Sequence, residues 1–425
     1  MSAPTCERHM ITMDQLCVGL HVRLDSWLGH PFLFSSFRIK DQQQIDTLRS
    51  LGLTEIEYLP HKSTASPASP SVAKPPVEQP VQEATATLES LMQEKRERID
   101  TLSKERQRIQ AAERQYVKTA EAIKNIMRLA NQTPAQAVAE SGAIAHELVR
   151  LFVTSKDPYI HLMGDHVADE SAHYHGLNVT VLSLILARAL RVPDVGLVRD
   201  IAQGAILHDI GKSMIPSQVL LKTDALTRAE SSLLQMHPAY GLKILEPAES
   251  LSPGVRQIVF AHHERADGSG FPRGLKGDAI HQAAAIVAIA DTYDNLCNHR
   301  VLARAKTPSE ALSFMYKNGQ GKFDAAALAA FIKSLGVFPP GTIVRLRSGK
   351  VGIVMSIDSA DLLHPDLMLY DDTIPKESAA IVNLKRDLDD EIEQTVRPAA
   401  LPPAVHAYLS PRKRVCYFVD HDGRS

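Results

Sequence analysis

The stretch Ile206-Leu207-His208-Asp209-Ile210-Gly211-Lys212 sets an imidazole, a carboxylate and an amine at the end of an apolar helical run. Burying such groups without partners costs several kcal/mol, and a metal ion is the economical partner. Neighbouring residues on a helix diverge by about 100°, so His208 and Asp209 suit two ions, or one ion and a bridge, better than chelation of a single ion. His262-His263 repeats that geometry. A His-Asp pair standing alone is ordinarily a hydrogen-bonded structural contact. What changes the reading is the wider series His175, His208-Asp209, His237, His262-His263 and Asp291, each in or beside an apolar helical segment. These donors suffice for two divalent metal ions, and the absence of thiolates favours iron or manganese over structural zinc. Two such ions against the carboxylates of Asp209 and Asp291 leave a net positive charge that attracts phosphate oxygens. Ions about 3.5–4 Å apart lower the pKa of a bridging water toward ~7 and clamp attacking and leaving oxygens. The chemistry that fits is hydrolysis of a phosphate ester.

The rest of the composition agrees. A chain of 425 residues exceeds one ordinary core and, at about 150 residues per domain, predicts roughly three domains. Hydrophobic residues make up 44% and charged residues 23%, with no apolar run near the ~18–20 residues that span a bilayer. Met1 to Met10 holds no apolar segment behind a basic one, so no secretory signal is readable and a cytoplasmic location is expected. Cys6, Cys17, Cys297 and Cys416 lie far apart without CxxC spacing, as reduced thiols do. The formal net charge of −2 gives no field to attract long nucleic acids or an anionic membrane. Ten of the 18 histidines fall between His161 and His299, which is where the chemistry is expected.

Periodicity divides the chain. Alternation from Leu16 to Leu24 predicts a strand, Asp41 and Gln44 a capping box for a helix through Ile45, Leu48 and Leu51 to Gly52, and Ile56 with Tyr58 another strand. Residues 1–62 thus read as a small α+β module, and the proline-rich stretch 63–82 as a linker. From Leu88 through Met92, Lys95, Ile99, Leu102, Arg106, Ile109, Glu113, Tyr116, Ala120, Ile123 and Met127 to Ala130 the spacing is 4-3-4-3. The segment 83–132 is therefore either a dimerising coiled coil or one long helix packed on its own protein, with Lys95, Arg106 and Glu113 weakening a self-paired seam. Residues 133–336 read as a mostly helical domain, opened by Thr133-Pro134 and including helices over 179–190, 197–207, 228–236 and 283–291, the third started by the capping box Thr227–Glu230. Alternation at Thr342, Val344, Leu346, Val351 and Ile353 predicts a β-rich appendage over 337–397, and 398–425 reads as an irregular tail whose Arg412, Lys413 and Arg414 are solvated. The fold class is mainly α.

The motif set resembles the HD superfamily of metal-dependent phosphohydrolases, and within it the HD-GYP phosphodiesterases that open cyclic di-GMP. His208-Asp209-Ile210-Gly211-Lys212 is similar to the family's HDIGK, and His262-His263-Glu264-Arg265-Ala266-Asp267-Gly268-Ser269-Gly270-Phe271-Pro272 to its HHExxDGSGYP, with Phe271 for the tyrosine. Leu226-Thr227-Arg228-Ala229-Glu230, His237 and Ile289-Ala290-Asp291 also match, over about residues 165–335. Leu24 to Phe32 looks like the small module that often precedes such domains. The resemblance implies an all-helical HD-type domain, a binuclear centre held by His175, His208, Asp209, His237, His262, His263 and Asp291 with Asp209 as bridge, and Lys212 facing the substrate phosphate. Read as residues alone, Lys212 is also a helix-capping lysine, Gly268 and Gly270 also fit a plain turn, and Arg300 is also a surface salt-bridge residue. As substrate contacts, Lys212, Gly268, Gly270 and Arg300 would meet a phosphate or a guanine edge. Ser171 stands where three-metal relatives carry Glu, which favours two ions, against which stands the neighbouring Glu170. The stretch 294–302 replaces the family's DALTSxRPY, keeping Arg300 but losing the Pro-Tyr pair. The implied activity is hydrolysis of cyclic di-GMP to linear dinucleotide or GMP by a metal-activated hydroxide. A catalytically weak nucleotide-sensing module, or a hydrolase of another phosphate ester, are the alternatives.

Overall fold

The computed structural model describes residues 9–24, 30–32, 35–69, 81–154, 159–163, 172–358, 360–372, 374–376, 379, 381–385, 390–411 and 415–420. Most of the motif at 24–32, the prolines from 70 to 80, Glu170, Ser171 and Arg412 to Arg414 lie outside them. The chain divides into two compact units, residues 1–107 with 371–379 and residues 108–370 with 380–425.

In the first unit, strands β1 (His9–Thr12), β2 (His21–Arg23) and β3 (Ser36–Arg38), helix α1 (Gln42–Ser50) and strand β4 (Glu55–Tyr58) form an antiparallel sheet of order β1-β4-β2-β3 beside one helix. Asp41 accepts the Gln44 N–H as the N-cap, and Ile45 and Leu48 of α1 bury against Leu20, Val22, Ile39 and Ile56. The strand expected over 16–24 is cut to three residues because Gly19, at φ +97°, turns the chain where Leu20 N–H meets the Cys17 carbonyl.

Helix α2 (Val81–Leu129) is continuous, and from residue 108 it belongs to the second unit. There Tyr116, Ala120, Ile123, Ile126 and Ala130 are buried, so this end of the heptad seam is a packing face within the unit. The helical body continues with α3 (Pro134–Thr154), a strand β5 (Tyr159–Leu162), α4 (Ala172–Ala189), α5 (Val195–Leu207), α6 (Ser217–Leu220), α7 (Arg228–Leu234), α8 (His237–Leu245), α9 (Pro253–Ala261), α10 (Gln282–Cys297), α11 (Pro308–Asn318) and α12 (Ala325–Leu335). The capping box at Thr227 and Glu230 starts α7 as its spacing predicts. Strands β6 (Ile343–Leu346), β7 (Val351–Asp358), β8 (Asp361–Leu369), β9 (Ile381–Asn383) and β10 (Ile392–Val396), helix α13 (Pro403–Leu409) and strand β11 (Tyr417–Asp420) complete the chain.

The sheet runs β10-β6-β7-β5-β11, with β8 beside β7 and β9 beside β8. It corrects the expected irregular tail at 398–425, since α13 and β11 lie there and β11 pairs antiparallel with β5, Tyr417 opposite Leu162. Strand β5 lies inside the segment read as helical. Pairing between strands so distant in sequence leaves no local period in either one. The fold is mainly α with two small sheets, and among the described residues no helix is long and apolar enough to cross a membrane.

Candidate metal centre

Close backbone packing brings the chemistry together. Gly204 on α5 meets α9 so tightly that a Cβ there would lie 2.4 Å from Ile258 Cδ1. At Gly211 it would lie 1.9 Å from the His237 carbonyl oxygen, so only glycine lets the start of α8 reach the Asp209 loop. Helix α4 then contributes His175, the end of α5 His208 and Asp209, the first turn of α8 His237, the end of α9 His262 and His263, and α10 Asp291. The seven side chains expected from sequence converge as two groups, Asp209 with His237, His262 and His263, and His175 with His208 and Asp291, the donor atoms within each group lying within 4.8 Å of one another.

Asp209 is shared between them. Its Oδ1 lies 3.3 Å from His237 Nε2 and 3.9 Å from His262 Nε2, while its Oδ2 lies 3.5 Å from the Nε2 atoms of both His175 and His208. Asp291 Oδ1 is 3.2 Å from His175 Nε2, and its Oδ2 is 3.8 Å from His263 Nδ1.

The tautomers decide what these atoms can hold. His208 Nδ1 donates to the Ala205 carbonyl at 2.7 Å, His237 Nδ1 to that of Leu234 at 2.7 Å, and His262 Nδ1 to that of Val259 at 3.1 Å. A carbonyl only accepts, so each neutral ring must turn an Nε2 lone pair inward. His237 Nε2 and His262 Nε2 then face each other at 3.2 Å, and Asp209 Oδ1 beside them is buried without accepting a hydrogen bond. Converging lone pairs and a bare buried carboxylate oxygen are the donor set a divalent cation satisfies.

Electrostatics point the same way. Burial, reinforced by His263 and His208, drives His262 well below its ordinary pKa; burial also lowers His237 and pushes His263 down to about 3. These rings are neutral, as ligands must be. His175 differs: burial opposes its charge, but hydrogen bonds to Asp209, Asp291 and Asp294 hold it well above the usual value. Burial also works against the charges of Asp209 and Asp291, yet Lys212 and His208 around the first, and His175 and His208 around the second, keep both carboxyls far below the carboxylate range.

The residues expected to grip substrate are less uniform. Lys212 Nζ donates to Asp209 Oδ2 at 2.5 Å, and Arg300 donates to the Leu220 carbonyl at 3.2 Å. A Cβ at Gly270 would lie 2.4 Å from Arg265 N, so backbone packing already explains that glycine; Gly268, at φ +81°, makes the turn. Phe271 stacks on His263 with ring centroids 4.6 Å apart, supporting a ligand imidazole without needing a hydroxyl.

Sequence reading missed the supports behind the ligands. Asp294 is buried and accepts from His175 Nδ1 at 2.6 Å and from the amides of Asn178 and Asn298. Asn295 donates to Asp291 Oδ1 at 2.6 Å. The available signal was helical spacing: Asp294 and Asn295 follow Asp291 by three and four residues on α10, and so share its neighbourhood.

A family model described as the HD domain matches residues 161–327, and one for a domain of unknown function, DUF3391, matches residues 9–141. The chain carries an HD domain. A cyclic di-GMP phosphodiesterase of Pseudomonas aeruginosa is 29% identical over 379 residues, spanning 85% of this chain and 84% of that relative. The cyclic di-GMP phosphodiesterase response regulator RpfG of Xanthomonas campestris is 39% identical over 137 residues, 32% of this chain and 36% of that relative. Among solved structures, an HDG"Y"P protein from Bdellovibrio bacteriovorus aligns at a TM-score of 0.41 and 16% identity, over 76% of this chain and 98% of that one. HD-domain phosphohydrolases are metal-dependent, and the histidine and aspartate cluster suits that dependence.

Proposed function

We propose that this HD domain is a two-metal phosphodiesterase that hydrolyses cyclic di-GMP, opening it to the linear dinucleotide or onward to GMP. The observation that carries the reading is the division of Asp209, one carboxylate oxygen toward each ligand group, with Oδ1 buried and otherwise unpartnered. The relatives' names supply the substrate, since both are cyclic di-GMP phosphodiesterases.

His237, His262, His263 and Asp209 would hold one ion, and His175, His208, Asp291 and the other oxygen of Asp209 the second. Bound divalent cations supply Lewis acidity, making water nucleophilic near neutral pH and drawing charge off a phosphoryl oxygen. The chain's own residues prepare for this. Carbonyl-tethered rings present fixed lone pairs, so little reorganisation accompanies reaction. Lys212, ion-paired to Asp209 with its side chain 33% exposed, is a cation placed to meet phosphate at the rim. Iron and manganese both suit the all-nitrogen-and-oxygen donor set. A homodimer through residues 83–132 would use the part of α2 that precedes its buried end at Tyr116 to Ile126.

The test is metal analysis of the reduced protein, followed by a cyclic di-GMP cleavage assay beside the double variant His208→Ala, Asp209→Ala. Cleavage by the parent and none by the variant is expected. Equal rates would remove the site assignment, and turnover of another phosphate ester with cyclic di-GMP untouched would move the substrate.

A further inference from the structure

The C-terminal segment reaches the support of one ligand group. Asn178 and Asn298 both donate to Asp294 Oδ1, and both turn their amides to the Val415 carbonyl as well, at 3.1 and 2.9 Å. In return, Asn298 Oδ1 accepts the Val415 N–H at 2.7 Å and Asn178 Oδ1 accepts the Tyr417 N–H at 2.9 Å. The backbone between them is fixed too: the Cys416 carbonyl accepts the Met163 N–H at 3.0 Å, and the hydroxyls of Tyr417 and Tyr293 are 2.8 Å apart. Val415, Cys416, Tyr417, Asn178 and Asp294 are all buried.

We propose that Val415–Tyr417 is a positioning strap for the His175, His208 and Asp291 metal site, acting through Asn178, Asn298 and Asp294. This rests on the metal-centre reading above. The chain of cause is short. The segment orients two asparagine amides so that both aim protons at Asp294. An Asp294 carboxylate so loaded has its Oδ2 left for His175, whose Nδ1–H it takes, and the ring's Nε2 is thereby aimed at Asp209 and Asp291. Asn298 lies in the stretch 294–302 that departs from the HD-GYP pattern, and it is one of the two asparagines that bind this segment. His237 and His262 of the other ligand group do not depend on the strap, because they are tethered to backbone carbonyls of their own helix turns.

The experiment is a manganese titration of the metal-stripped full chain, of Asn298→Ala, and of a chain ending at Ser410, each checked for fold by circular dichroism. The wild type is expected to bind two ions. Each variant should bind one of them about 10–100-fold more weakly, the usual effect of losing an outer partner, with the other affinity unchanged. Two unchanged affinities, or equal weakening of both in a folded variant, would overturn the strap. Should both variants unfold, hydrogen exchange on the wild type decides: coupling is reciprocal, so manganese must slow exchange at the Val415 and Tyr417 amides, and unaltered exchange there also overturns it. A wild-type chain that takes up no manganese instead overturns the metal centre itself.

Discussion

The two ligand groups of the HD domain are built in different ways. His237 and His262 are held by carbonyls three residues back in the chain, a tether that forms as soon as the helix turn does. His175 is held by Asp294, a residue 119 positions away that itself depends on two asparagines and the C-terminal backbone. His208 in the second group is tethered to Ala205 in the same local way, so among these four rings His175 is the one that hangs on tertiary structure, and it is where mutation, pH and the remote segment act.

The largest effect should come from abolishing the residue both groups share. Asp209→Asn removes the one negative charge that the two groups share and leaves Lys212 without its charged partner. Cyclic di-GMP cleavage is expected to fall by at least about 10³-fold, at the upper range for losing one preorganised electrostatic contact, with both ions lost by metal analysis. Retention of either ion at parental affinity counts against the shared bridge.

Asp294→Ala separates the groups. It frees His175 from its orienting acceptor, and the affinity of one ion should drop about 10–100-fold while the other holds. Uniform weakening, measured by the same titration, contradicts the difference in construction.

The same contrast appears as pH dependence. His175 sits well above its ordinary pKa and carries a proton at pH 7, so an incoming ion must displace it. Affinity at that group should therefore rise up to about tenfold per pH unit between pH 6 and 8, one proton being released per ion. His237, His262 and His263 sit below their ordinary value and are already neutral, so their ion should bind almost equally across this range. Parallel curves for the two ions would refute this.

The smallest effect belongs to Phe271. Truncation to Ala loses its stacking on His263, worth about 0.5–1.5 kcal/mol, and so should weaken the first ion by no more than roughly tenfold. A tyrosine there should retain the stacking and restore affinity.

Much of this is legible in the sequence. The ligands announce themselves because polar residues at the ends of apolar helices need partners, and His208-Asp209 and His262-His263 stand at such ends. Capping residues Asp41 and Thr227 mark helix starts because their chemistry is local. What escaped was non-local. Strand β5 gains its identity only by pairing with β7 and β11, and Asn178 reads as an ordinary helix residue until Tyr417 arrives beside it. Gly211 looks like part of a motif, and only the approach of α8 gives its missing Cβ a purpose.

Anomalous diffraction from crystals of the manganese-loaded chain tests the central claim most directly. The account predicts two peaks, about 3.5–4 Å apart as in two-metal hydrolases, one against each carboxylate oxygen of Asp209. A single peak, or two that leave Asp209 uncoordinated, would contradict it.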